Sequence, residues 1–228
     1  MSNIIELQSV YKRYTSGQEA ISDLSLSLAK GEMAFLTGHS GAGKSTLLKL
    51  IALLERPTKG RIIVNGVNLS RLKSRHIPEY RQGLGLIFQN YSLLYDRTVF
   101  DNVALPLVIR GLRHDDIGRR VRAALDTVGL LRKERAQPIT LSGGEQQRVA
   151  IARSVVCKPH VLLADEPTGN LDPELSLEIM RLFARLNEVG VTTLIATHDI
   201  DLIQRMDRRI INLEDGRLTE AEPVGVLT

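Results

Sequence analysis

The chain opens on stretches in which apolar residues recur at every second position. Ile4 to Val10 and Ile21 to Leu28 read as strands; in the second, Leu24, Leu26 and Leu28 fall on one face and Ser25 and Ser27 on the other. Met33-Ala34-Phe35-Leu36 is a continuous apolar run, the pattern of a strand covered on both sides. Arg61-Ile62-Ile63-Val64 running into Asn65-Gly66 predicts a strand ending in a turn, and Gly85 to Phe88 predicts a short buried strand that delivers Gln89. From Val99 the period lengthens. Val99, Val103 and Leu107, then Val121, Leu125 and Val128, predict helix as far as Leu131. Strand and helix patterns then alternate: a helix from Ser142, a strand at Val161 to Ala164, a helix from Pro173, a strand at Thr192 to Ala196, a helix from Asp199 and a strand at Arg209 to Asn212.

Strand–helix alternation implies an α/β protein with a mainly parallel sheet and helices on both faces. The helical stretch in the middle, about 90–157, reads as a subdomain inserted into that core, within one domain spanning 1–228. Its apolar residues Val99, Val103 and Leu107 either fill that subdomain or line a groove for a partner's helix. Composition changes this picture little. The segment from Leu84 to Leu112 is apolar, but Asp96, Arg97, Asp101 and Arg110 interrupt it, so it is no membrane span. A soluble cytosolic chain is expected, and the single Cys157 excludes an internal disulfide. The net charge of +4 admits an anionic partner, and Arg110 to Arg122 is its one dense cluster. No aromatic residues are interleaved there, so a nucleic-acid role is not expected and a solvated helix face is. The terminal run Thr219 to Thr228 reads as a loose tail.

The chemistry concentrates at the strand ends. Between Leu36 and Leu47 lies Gly38-His39-Ser40-Gly41-Ala42-Gly43-Lys44-Ser45-Thr46. Glycines there let the backbone approach a ligand, and the helix that follows offers unpaired N–H groups and a partial positive charge. This is the spacing of a phosphate-binding P-loop, in which Lys44 would reach the β- and γ-phosphates and Ser45 would ligate Mg²⁺. A carboxylate must help to hold that metal. Four apolar residues from Val161 deliver Asp165 and Glu166 at a strand's C-terminal end, where doubly wound sheets bind their ligands. Asp165 would hold the metal, and Glu166 is the candidate general base for an attacking water. His198 follows another strand of the series and is read as a γ-phosphate contact.

Ser142-Gly143-Gly144-Glu145 is a capping box opening a helix, and its glycines expose further N–H groups. One nucleotide does not need two anion sites from one chain; two facing chains would use both. Asp172 caps the next helix, with Pro173 in its first position.

Together these motifs resemble the ATP-binding subunits of ABC transporters, from one end of the chain to the other. The Walker A motif is Gly38 to Thr46, the Q-loop glutamine is Gln89, and the signature is Leu141 to Gln147. Walker B is Val161 to Asp165 with Glu166 after it. The D-loop is Asn170 to Asp172 and the switch histidine is His198. The resemblance implies an ABC-type P-loop ATPase with an antiparallel β subdomain beside the parallel core. It implies that Tyr14, or failing that Tyr11, stacks on adenine, and that Gln89 also faces the Mg²⁺. It implies a head-to-tail homodimer on ATP binding, with each ATP held between one copy's Walker A and the other's Ser142, Gly143, Gly144 and Glu145.

Within the family, His39, the run Asp96 to Val103 with Pro106, and Leu162 to Asp172 resemble the branch that serves bacterial cell division. That resemblance implies an FtsX-like integral membrane partner, other divisome proteins, control of cell-wall hydrolysis, and a peripheral place on the inner membrane's cytoplasmic face at the septum. The alternative is the ATPase of a lipoprotein-releasing or macrolide-efflux exporter.

Overall fold

The computed structural model describes residues 2–88 and 90–219; Gln89 and residues 220–228, which hold all but the first residue of the expected tail, lie outside the described residues. Strands β1 (Asn3–Arg13) and β2 (Glu19–Ala29) pair antiparallel. The alternation read in β2 is realised: Leu24, Leu26 and Leu28 are buried while Ser25 and Ser27 are exposed. Strand β3 (Met33–Thr37) is buried throughout and hands over to helix α1 (Lys44–Ile51). Strands β4 (Lys59–Val64) and β5 (Val67–Asn68) complete an antiparallel sheet of order β2-β1-β4-β5. A short helix α2 (Ile77–Gln82) leads into β6 (Leu84–Ile87).

The helical stretch expected from Val99 to Leu131 is two helices, α3 (Val99–Ile109) and α4 (His114–Thr127). They part at Gly111, whose φ of 70° ends the first helix. Val99, Val103 and Leu107 are wholly buried, so the groove reading of these three is corrected: they are core, facing helix α5 (Gly143–Val155) and its neighbours. Then come β7 (Val161–Asp165), α6 (Pro173–Glu188), β8 (Thr192–Ala196), the single-turn α7 (Ile200–Gln204), β9 (Arg209–Glu214) and β10 (Arg217–Thr219).

The second sheet runs β10-β9-β3-β8-β7-β6, parallel except for β10 at its edge. Its pleat sorts the core into two layers, because successive side chains point to opposite faces. Phe35, Leu162, Ala164 and Ile195 join the cluster that holds α3 to α6. Ala34, Leu36, Val161, Leu163 and Leu194 join the cluster shared with α1 and the antiparallel sheet. Continuous apolar strands thus serve both faces at once, as a sheet covered on both sides requires.

Candidate functional site

Three adjacent strands, β3, β8 and β7, end side by side. Their C-terminal ends carry, in that order, the glycine loop, His198 and the Asp165–Glu166 pair. All three line one cavity of about 540 Å³, with Tyr14, Gln18 and Ala20 from the antiparallel sheet side and Ser40, Gly41, Gly43, Lys44, Ser45 and Thr46 from the loop.

The loop's shape depends on glycine at two places. Gly38 has φ 142°, and a Cβ there would lie 2.1 Å from the Leu213 carbonyl oxygen. Gly43 has φ 107°, and a Cβ there would lie 2.5 Å from the Ala20 carbonyl oxygen. Gly43 caps α1 without any side-chain hydrogen bond, so the helix's first N–H groups stay open to a ligand. The β9–β10 turn braces the loop from behind. Gly216 N donates to Ala42 O at 3.0 Å, and His39 Nε2 lies 3.4 Å from Asp215 Oδ1. Lys44 is buried, and its ammonium donates to Gly38 O at 2.6 Å and His39 O at 3.1 Å, so it lies over its own loop.

The acidic pair is set by the end of β7. Glu166 takes a left-handed backbone, φ 49°, uncommon for a residue with a side chain and typical of functional sites. Its N–H donates to Ala196 O at 2.9 Å, which locks the turn to β8. Its Oε1 lies 2.9 Å from His198 Nδ1. A carboxylate only accepts, so that nitrogen carries the proton. Glu166 is largely covered while His198 is largely exposed. Burial raises the Asp165 carboxyl above its ordinary range; the Ser45 hydroxyl opposes this and the Glu166 charge reinforces it.

Asp165 also supplies the test for a metal. Its Oδ1 is buried and has no hydrogen-bond partner among the described residues. No group of three or more His, Cys, Asp or Glu side chains that could hold a metal is found among them. One orphaned carboxylate beside a serine hydroxyl, in a phosphate cradle, fits Mg²⁺, which takes few protein ligands and completes its shell with phosphates and water. It does not fit an all-protein metal cage.

Other expected residues lie elsewhere. Ser142, Gly143, Gly144, Glu145 and Asp172 do not line the cavity of their own chain. Ser142 and Glu145 form the expected capping box, with Glu145 N donating to Ser142 Oγ at 3.3 Å and Ser142 N to Glu145 Oε2 at 3.1 Å. Lys133 pairs with Glu145 at 2.5 Å and holds that carboxyl below its ordinary range. Asp172 Oδ1 caps α6 through Glu174 N and Leu175 N, at 3.1 and 3.0 Å. Of the two tyrosines, Tyr14 lines the cavity, whereas Tyr11 faces Ser22, Asp23 and Ser25. Gln18, Ala20 and the bracing Asp215 had no motif to announce them.

The ABC transporter family pattern matches residues 21–169, which carry the loop, the capping box and the acidic pair. The chain belongs to the ABC transporter family. This ABC chain is 59% identical to the cell division ATP-binding protein FtsE of Escherichia coli K12 over 215 residues, covering 94% of this chain and 97% of that protein. It is 48% identical to the protein of the same name from Mycobacterium tuberculosis, covering 98% and 97% of the two chains. Among solved structures, its fold matches the ATP-binding cassette MJ0796 in a dimeric post-hydrolysis state bound to ADP and Pi, with a TM-score of 0.88, 34% identity and coverage of 97% and 99%. The chain is an ABC-type ATPase of the cell-division branch, and the exporter alternative is not favoured. No helix among the described residues is long and apolar enough to cross a membrane.

Proposed function

We propose that two copies of this chain bind and hydrolyse ATP at shared sites and pass the motion to an FtsX-like membrane partner during bacterial cell division. One observation carries the catalytic part: Lys44, Ser45, Asp165, Glu166 and His198 line a single cavity, with Glu166 and His198 2.9 Å apart. Lys44 and the open N–H groups of α1 hold the phosphates. Ser45 and Asp165 would hold Mg²⁺, and the ion when bound would neutralise phosphate charge. Glu166 accepts the proton of the attacking water, and His198 fixes that carboxylate and faces the γ-phosphate. Tyr14 stacks on adenine.

The second anion site explains why the assembly is a dimer. Ser142, Gly143 and Gly144 open α5 away from their own chain's cavity, so a second copy must present them, with Glu145, to the nucleotide. The MJ0796 cassette is dimeric with ADP and Pi bound, which supports that arrangement. The D-loop lies beside these glycines, since a Cβ on Gly143 would lie 3.8 Å from Leu171 Cδ2. ATP then favours the closed pair and hydrolysis releases it, a population shift driven by the γ-phosphate.

The partner's seat is read from exposed apolar side chains. Leu54, Phe88, Leu94 and Tyr95 are each between 39% and 49% exposed. Phe88 also lines a small groove with Lys49, Ala52 and Asp165, so a partner resting on Phe88 would lie next to the metal carboxylate's surroundings. In this reading the chain works at the cytoplasmic face of the inner membrane, peripheral and at the septum, near other divisome proteins.

The test is capture from solubilised membranes of the source cell with the Glu166→Gln variant, ATP and Mg²⁺. Retention of an FtsX-like four-span protein is expected. Retention of a lipoprotein-releasing or efflux permease instead would move the biology to export and leave the ATPase intact.

A further inference from the structure

Residues two apart in a strand share a face. Val10 and Lys12 stand at that spacing near the end of β1, both buried, and Tyr14 lies just past the strand. Lys12 is only 9% exposed, rare for a lysine unless it is paired. Its Nζ lies 2.7 Å from Glu55 Oε2 and donates to Arg56 O at 3.1 Å. The same ammonium stands 4.8 Å from the centroid of the Tyr14 ring, within range of a cation–π contact. Tyr14 is held at two other points, one on the ring and one on the backbone. Tyr14 Oη is 3.3 Å from Thr46 Oγ1, and Tyr14 N donates to Gln18 O at 2.9 Å. Tyr14 lines the nucleotide cavity and Lys12 does not, so the ammonium meets the ring from outside the cavity lining.

We infer that Lys12 is a positioning residue for the nucleotide base, acting through Tyr14. This rests on the reading of Tyr14 as the surface on which adenine stacks. An ammonium over one face of a ring draws π density toward itself. The opposite face becomes less electron-rich and a better partner for an electron-rich purine. The contact also fixes the ring before the base arrives, which lowers the ordering cost of binding. Glu55 and the Arg56 carbonyl, both outside the nucleotide cavity, hold the ammonium in place. Lys12 therefore acts on the base and not on the phosphates, which are cradled by the glycine loop.

The experiment uses the full chain, titrated calorimetrically with ATP and, separately, with inorganic tripolyphosphate, which has phosphates and no base. Lys12→Met keeps the side chain's bulk and removes its charge. Its expected effect is an ATP affinity about three- to tenfold weaker, with tripolyphosphate affinity unchanged. Lys12→Arg, which keeps a cation, restores most of the loss. In a Tyr14→Ala background, Lys12→Met adds nothing. ATP binding by Lys12→Met at the parent's affinity, an equal loss for tripolyphosphate, or a full additional loss on top of Tyr14→Ala would each overturn the inference. If Tyr14→Ala itself binds ATP like the parent, the adenine reading falls and the inference with it. If only Tyr14→Ala weakens binding, the inference alone falls. Should the unpaired Glu55 prevent Lys12→Met from folding, Lys12→Met/Glu55→Gln leaves no charge unpaired and carries the same expectations.

Discussion

At the scale of the residue, the site holds side chains in states that the fold alone would not favour. Asp165 is a half-buried carboxyl with an unpartnered oxygen, and its proton is held more tightly than usual. The sign of the effect follows from linkage. A carboxyl whose folded value is raised favours the folded state while it is protonated. That stability is lost as pH climbs through the ordinary value of 3.8 and on past the raised one. Ligand-free Asp165→Asn should therefore melt higher than the parent at pH 7, with the gap closing as pH falls through the raised value to the ordinary one. Thermal melts across that range check it; a constant gap would reject burial of the charge as the cause. With ATP and Mg²⁺ the order should reverse, because only the parent gains the metal. Lys44 is also poised, bonded to two carbonyls that a phosphate can replace. Lys44→Ala should weaken ATP in equilibrium titration by tenfold or more, the loss of a charge-assisted contact of about 1.5–3 kcal/mol. Unchanged affinity would remove Lys44 from the phosphate cradle.

At the scale of the element, the helix starts were the most legible part of the sequence. Ser142 and Asp172 cap α5 and α6 as their spacing requires, since a hydroxyl or carboxylate next to open N–H groups has few other places to bond. The helix ends were less legible. The break between α3 and α4 rests on one glycine inside an apolar run, and α7 stops after a single turn although its pattern runs on. Asn102 went unread because a polar residue on a helix carries no periodic signal. It is wholly buried, accepting from Leu94 N at 2.8 Å and donating to Leu94 O and Thr98 O at 2.9 Å. It ties the segment after β6 to α3. Asn102→Ala should cost about 1–3 kcal/mol, because two backbone groups lose their partner in a dry site. Chemical denaturation checks this; a loss under about 0.5 kcal/mol would show that water replaces the side chain. The cap of α5 separates structure from function. Ser142→Gly should cost only a few tenths of a kcal/mol in folding, since glycine tolerates the cap position. It should still weaken ATP-driven dimerisation, because the hydroxyl is absent. Sedimentation with ATP reads that loss, and full dimerisation would place Ser142 outside the shared site.

At the scale of the whole molecule, the parallel core was legible because its strands are short, apolar and separated by strong helix patterns. The edge strand β10 and the two-residue β5 were not, being too brief to show a period. The cavity could be assembled from sequence only where a motif fixed both residue type and spacing, as for Lys44, Ser45, Asp165 and Glu166. Gln18 and Ala20 reach it through the packing of the antiparallel sheet against the core, a long-range consequence of topology. The same packing leaves Ser142 and its glycines outside their own chain's cavity, which is the ground for proposing that a second copy completes the site. Glu166 is proposed as the base of an ATP site completed by a second copy. The most direct measurement is gel filtration of Glu166→Gln after incubation with ATP and Mg²⁺, with the bound nucleotide identified. A dimer holding intact ATP is expected, with turnover reduced by about 10²- to 10⁴-fold against the parent. A monomer, or a dimer that has converted its ATP to ADP at the parent's rate, would contradict it.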